Sequence, residues 1–331
     1  MGNNHQSQEK FKTMIGGQAL IEGIMMRGPK SDAIAIRNKD GIHVETTPRK
    51  SRSKKSVLSW PIIRGAVNFF DAQVVGVKAL LRSADLSPEE NQSQPSKLDM
   101  WLEKKLGDKK FQSFLVGTAV ALGLGMSILL FFLLPNFIGA IFDKWVENNL
   151  LRNLIEGVVR ILIFVTYILL VSRMEEMKRV FSYHGAEHKT IHCYEAQLPL
   201  TVENVRLQTR KHPRCGTSFL FVVMILSILI FSVASSCLLA IAPDLEAMRG
   251  SLAYSGIMLG FKLFLLPLVV AVSYEINRLV GRYDNWATRI LTAPGQWFQN
   301  FTTNEPDDSM IEVAIAALQA VLPEHEGEDR W

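Results

Sequence analysis

Four of the chain's seven histidines fall in two polar runs: His184-Gly185-Ala186-Glu187-His188 with His192 just after it, and His212-Pro213-Arg214-Cys215. Imidazole, thiolate and carboxylate are the groups that hold zinc, three of them plus water in a catalytic site and four in a closed structural one. His184 and His188 are four residues apart, so on a helix both rings leave the same face. Glu187 precedes the second histidine, and this H-x-x-E-H order puts a carboxylate within reach of a water polarised by an ion between the rings. His192 continues the spacing, each step of four turning about 40° around the helix. The expected site is therefore Glu187 as catalytic base, His184 and His188 as metal ligands, and zinc or another divalent transition metal as cofactor. His192, His212, Cys215, Glu195, Glu22 and Glu275 are the candidates for the further ligands, and sequence does not choose among them.

Two other readings of the same residues stay open. The cluster is a closed structural site, or it binds no metal and its histidines are ordinary hydrogen-bonded groups, with Glu187 paired to Lys189 or Arg214. Gly185 weakens the helix by about 1 kcal/mol relative to Ala. A Cys/His nucleophile built on Cys193 or Cys215 is disfavoured, because adjacent helical residues diverge.

The elements that must position these groups are hydrophobic segments too long for a soluble core. They run from about Phe111 to Phe142, Leu154 to Val171, Thr217 to Ala242 and Leu252 to Val272, near the roughly 20 apolar residues needed to span a bilayer. Arg160 and Lys262 lie inside them and must face protein or a polar cavity, since a lone charge at the bilayer centre costs about 3 kcal/mol or more. A mean hydropathy of +0.14 hides this, because it averages a charged first third with apolar stretches downstream. The expected fold is a mainly α-helical polytopic membrane protein with four transmembrane helices and a small cytoplasmic α+β amino-terminal region.

Lys and Arg concentrate before the first segment and in the 173–216 loop, while the turns near 135–153 and 243–250 carry few. By the positive-inside rule both termini and the His-rich loop are expected in the cytoplasm of a multi-pass cell-membrane protein. The expected organisation is 1–110 as an amino-terminal region, 111–172 as the first two spans, 173–216 as the His-rich loop, 217–273 as the second two spans and 274–331 as a tail. The start from Met1 to Lys12 lacks an apolar signal core, so no cleaved signal is expected. Three cysteines give no disulfide framework.

Within the amino-terminal region, residues 33–37 and 42–46 alternate around Asn38-Lys39-Asp40-Gly41 and read as a hairpin, Asp40-Gly41 supplying positive φ. Gly16 to Pro29 is glycine-punctuated, matches neither a Walker nor a dinucleotide motif, and reads as tight backbone packing. Pro61 to Leu81 has helical apolar spacing and suggests an amphipathic or interfacial helix, and Leu86 to Lys97 reads as a linker. The basic run from Arg49 to Lys55 suits anionic lipid, without the interleaved aromatics of a specific nucleic-acid motif. In the tail, Ser309 to Glu312 reads as a capping box ahead of an apolar stripe through Val321.

Gly16 to Pro29, Tyr183-His184-Gly185-Ala186-Glu187-His188-Lys189, His212 to Thr217 and the tail from Thr302 to Ala316 together resemble the YqhQ family of bacterial membrane proteins, in order and over nearly the whole chain. The resemblance implies an uncharacterised integral membrane family, described in part as metal-dependent enzymes. Two functions remain in view. One is a metal-dependent hydrolase at the cytoplasmic membrane face; the other is a non-catalytic membrane factor that binds a partner such as the protein-translocation or ribosome machinery. A transporter fits less well, because few charges lie inside the spans.

Overall fold

The stretch expected to hold one hairpin holds a four-stranded meander. Strands β1 (Gly16–Leu20), β2 (Gly23–Arg27), β3 (Ser31–Asn38) and β4 (Gly41–Pro48) form an antiparallel sheet in the order β1-β2-β3-β4. β2 is buried along both faces, which is why its sequence shows no alternation. Between β3 and β4 the positive φ sits at Gly41 alone (+127°). The Asn38 side chain accepts the Asp40 amide at 3.0 Å and sets the reversal, so Asp40 does not take the left-handed conformation expected of it.

The computed structural model describes residues 11–49, 56–87, 105, 107–141, 146, 149–249, 251–283, 285–325 and 327–330. The basic run beyond Arg49 and the expected linker from residue 88 onward lie outside them. The chain forms two compact units, Met1–Pro88 with Ile168–Val223 and Val270–Trp331, and Glu89–Tyr167 with Met224–Val269.

In the first unit, helix α1 (Ile63–Leu86) covers one face of the sheet through Val75 and Ala79, against Leu20, Met25 and Ile34. The expected helix is there, and its small residues are the ones that face the protein. Gly65, Gly76, Ala79 and Ser83 turn inward, while Phe70, Val74 and Val77 point out. Small residues allow close approach: a Cβ on Gly65 would lie 2.8 Å from the Ala271 carbonyl oxygen. The other face of the sheet carries Ile24, Met26, Ala33 and Ala35, packed on Tyr183, Ala186 and Ile191 and on Val313, Ala314 and Leu318.

The remaining elements are α2 (Asp108–Ile128), a π-helical turn (Leu129–Leu133), α3 (Leu134–Ile141), α4 (Asn149–Val171), α5 (Glu175–Glu195), α6 (Val202–Arg206), α7 (Gly216–Ile241), α8 (Pro243–Ala247), α9 (Leu252–Arg282), α10 (Trp286–Thr302) and α11 (Asp308–Gln319). Four stretches, Phe114–Gly139, Leu151–Val171, Gly216–Ile241 and Ala253–Arg282, are long and apolar enough to cross a membrane. The last extends ten residues past its expected end at 272, so residues 273–282 are helical.

In the second unit, the two cations within the apolar helices have a partner. Glu156 accepts Arg160 at 2.7 Å and Lys262 at 2.7 and 2.8 Å, all three buried. Arg160 also donates to the Phe131 carbonyl of the π turn at 2.7 Å, satisfying a backbone group that the irregular helix frees.

The tail holds one more helix than expected. Asn285 and Thr288 form the capping box that starts α10. α11 is capped by Asp307, whose side chain accepts the Met310 amide at 2.9 Å, and not by Ser309. Ser309 donates to Asp307, and Glu312 pairs with Arg37 instead of reaching back along its own helix. The apolar stripe of α11 completes the core beneath the sheet.

Candidate metal centre

α5 carries the histidines on one continuous helix. Its glycine, costly for helix propensity, is required by packing, because a Cβ on Gly185 would overlap the Asn304 carbonyl oxygen. The segment after α10 therefore presses directly on the motif. There the Thr302 carbonyl accepts His184 Nδ1 at 2.8 Å, while the Arg210 carbonyl accepts His188 Nδ1 at 2.6 Å. A backbone acceptor at Nδ1 fixes the tautomer that presents the Nε2 lone pair, the outer-shell arrangement of metal-binding histidines.

One ring nitrogen each of His184 and His188 and the Cys215 sulfur lie within 4.8 Å of one another. His184 Nε2 is 3.1 Å from Cys215 Sγ. His188 Nε2 is buried without a hydrogen-bond partner. Ligand bonds of roughly 2.0 Å to nitrogen and 2.3 Å to sulfur place tetrahedral donors about 3.3–3.6 Å apart, so a modest readjustment of this triangle, with its 3.1 Å edge widening, would accommodate a zinc-sized ion. Two imidazoles and a thiolate suit zinc in donor chemistry as well. Burial pushes the Cys215 thiol up, but the adjacent His184 and His188 rings outweigh it and hold the group well below its usual range. Burial likewise lowers His184, and the Cys215 sulfur, Glu187 and the Thr302 carbonyl more than reverse it.

Glu187 is 5% exposed, and its Oε1 accepts the Gly17 amide of β1 at 3.0 Å. Burial raises its carboxyl above the ordinary range, opposed by His188 and His184. Only glycine fits at position 17, since a Cβ there would stand 2.7 Å from the Met25 carbonyl oxygen and 2.9 Å from Glu187 Cδ. A cavity of about 620 Å³ opens on the cluster, lined by Gly16, Gly17 and Ala19 of β1 and by His184, Glu187 and Cys215.

Of the further ligand candidates, Cys215 alone joins the first pair. His192, Glu195 and His212 form a second group, also within 4.8 Å. Here His192 Nε2 is engaged by the Lys211 carbonyl at 2.9 Å, and Glu195 accepts Arg214 and the Thr13 amide. The Arg214 guanidinium, 3.4 Å from His212 Nε2, opposes a cation at that place. Burial drives the His212 and His192 pKa values down. Glu22 and Glu275 lie away from both groups. Glu22 is clamped by Arg179 at 2.6 and 2.5 Å, and Glu275 by Arg64 at 2.7 and 2.5 Å. Lys189 pairs with Glu305, so neither it nor Arg214 is the partner of Glu187. Cys193 is buried and turned toward the Pro199 carbonyl, away from any histidine.

Sequence spacing did not point to the Gly17 amide or to the carbonyls of Arg210 and Thr302, because main-chain groups carry no side-chain signature. The H-P-R-C run is the one local hint at the Arg210 end of the site.

These features define a class: an α+β unit with a His2Cys cluster, in a chain with four helices suited to a bilayer. The chain belongs to the family described as protein of unknown function (DUF1385), whose model matches residues 60–324. It is also 33% identical over 322 residues to the uncharacterised protein YqhQ of Bacillus subtilis strain 168, covering 96% of this chain and 94% of that one. No solved structure matches.

Proposed function

We propose that this chain is a membrane-bound, metal-dependent hydrolase working at the cytoplasmic face of the cell membrane. The observation that carries the reading is the orphaned His188 Nε2, buried and converging with His184 Nε2 and Cys215 Sγ on one point. A buried polar atom without a partner is costly, and a divalent cation would satisfy it. His184, His188 and Cys215 would hold the ion, which supplies Lewis-acid polarisation of a water and of a substrate oxygen.

Glu187 does the proton work. The Gly17 amide holds Oε1 in place, leaving Oε2 to accept a proton from the attacking water and return it to the leaving group. A carboxyl raised by burial is better matched to both transfers near neutral pH. Tyr274, whose hydroxyl accepts the Asn68 amide at 2.9 Å, lines the same cavity and offers its own proton to a developing oxyanion.

The cytoplasmic placement rests on the Lys and Arg bias, and the bilayer setting on the four apolar helices. The outward apolar side of α1 suits contact with lipid, including the anionic lipids that the basic run would attract.

The test is metal analysis of the untagged protein purified in detergent, beside a His184→Ala/His188→Ala double variant. About one equivalent of zinc or another transition metal is expected in the native chain and none in the folded variant. A native chain that takes up no metal when supplied with it would overturn the reading.

A further inference from the structure

We propose that the substrate is an extended stretch of polypeptide, which pairs as an added strand with the free edge of β1. The assignment of this segment as substrate rests on the hydrolase reading, whereas the pairing is a property of the edge itself.

β1 is the outer strand of the sheet, with β2 on one side only. Leu20 and Gly23 flank a two-residue turn, so they form a hydrogen-bonded pair, and the alternation of an antiparallel ladder then turns Gln18 and Gly16 toward β2 and Ala19 and Gly17 outward. The Gly17 amide obeys this, pointing away from β2 to Glu187. Among the described residues, the Gly17 carbonyl and the Ala19 amide and carbonyl take no partner. These groups do not face bulk protein. Gly16, Gly17 and Ala19 line the 620 Å³ cavity that also holds His184, Glu187 and Cys215, a volume typical of ligand sites.

Alternating donors and acceptors along a strand are the chemistry of a peptide backbone, and edge addition is how such a ligand is bound. The rest of the lining argues the same way. Arg27 pairs with Asp32 and Asp71, Arg49 approaches Asp32, and Arg214 pairs with Glu195, so each of the three arginines that line the cavity among the described residues already faces a carboxylate. Gly16 adds room, as a Cβ there meets nothing within 4 Å. A peptide bonded to the Ala19 amide and carbonyl and to the Gly17 carbonyl leaves the Gly17 amide on Glu187 and lies in the cavity that His184 and Cys215 also line.

The experiment uses the full chain in detergent, zinc-loaded and chelator-stripped, with a randomised mixture of capped fluorescent hexapeptides and the same mixture N-methylated along the backbone. Hydrogen exchange across Gly16–Leu20 and fluorescence polarisation are read together. The hexapeptides should slow exchange of the Ala19 amide about tenfold, and the N-methylated mixture should not. Ala19→Pro removes the outward donor at a place where an edge strand tolerates proline, and should weaken hexapeptide binding about fivefold or more. Gly16→Val, which fills the groove without touching the fold, should do the same. No slowing of exchange in either form of the protein, equal slowing by both mixtures, or undiminished binding by both variants would overturn the proposal. Cobalt substitution separates the two readings. A thiolate-to-cobalt absorption band without peptide protection leaves the metal centre standing and removes the peptide; protection without a band does the reverse.

Discussion

His184 Nε2 lies 3.1 Å from the sulfur of Cys215, a residue on a different segment of the chain. The contact adds a third candidate donor to an i,i+4 histidine pair, and the proposed metal centre makes Cys215 as necessary as either ring. Cys215→Ser should fold, keep less than about a tenth of the native metal affinity, and lose the charge-transfer absorption of a cobalt-loaded sample. A serine variant that keeps that absorption would show that another thiol is the ligand.

Glu187→Gln preserves an oxygen for the Gly17 amide and removes the base. Bound metal should stay at the native level while hydrolysis of a substrate, once one is identified, falls about 10²–10⁴-fold. Loss of metal together with activity would reassign Glu187 as a ligand.

Gly185→Ala should improve intrinsic helix propensity by about 1 kcal/mol and still destabilise the protein by about 1–3 kcal/mol. The added methyl meets the Asn304 carbonyl oxygen. Thermal unfolding in detergent decides the sign, and a raised melting temperature would mean that the segment after α10 yields at no cost.

Glu156 faces two buried cations. Glu156→Leu leaves both uncompensated and should cost about 3–5 kcal/mol, whereas Glu156→Leu combined with Arg160→Leu and Lys262→Met should recover most of that loss. Equal damage from the single and triple changes would show that the group matters for its shape and not its charge.

Tyr194 donates to Asp329 at 3.1 Å, and burial together with that carboxylate pushes the phenol up from 10.0 to about 12. A pKa raised in the folded state favours the neutral form, so this stabilisation is complete below pH 10 and disappears as pH rises toward 12. The native chain should lose stability across that window more steeply than Tyr194→Phe. Parallel curves would exclude the linkage.

The legible parts of this molecule are those written in local spacing. His184, Glu187 and His188 sit on one helix, as their order indicates, and the apolar runs mark four helices long enough for a bilayer. Arg160 and Lys262 needed a partner, and Glu156, four residues before Arg160 in a segment read as apolar, was the readable signal for it. What spacing could not convey is which groups tertiary structure brings together. Cys215 and Glu275 looked equally eligible as ligands, and only folding sends one to the histidines and the other to Arg64. α1 shows a different limit: periodicity gave the helix, but not that its small residues face the protein and its large ones face out.

The acceptor that orients His184 belongs to Thr302, 118 residues later in the chain. Both histidines and Cys215 are thus synthesised well before the ring of His184 can be held in its binding orientation. Such a contact must wait on closure of a long loop, so under the proposed function uptake of the ion would follow docking of the Thr302 segment. A nascent or truncated chain ending before Thr302 would contain every candidate donor of the cluster and still fail to mature.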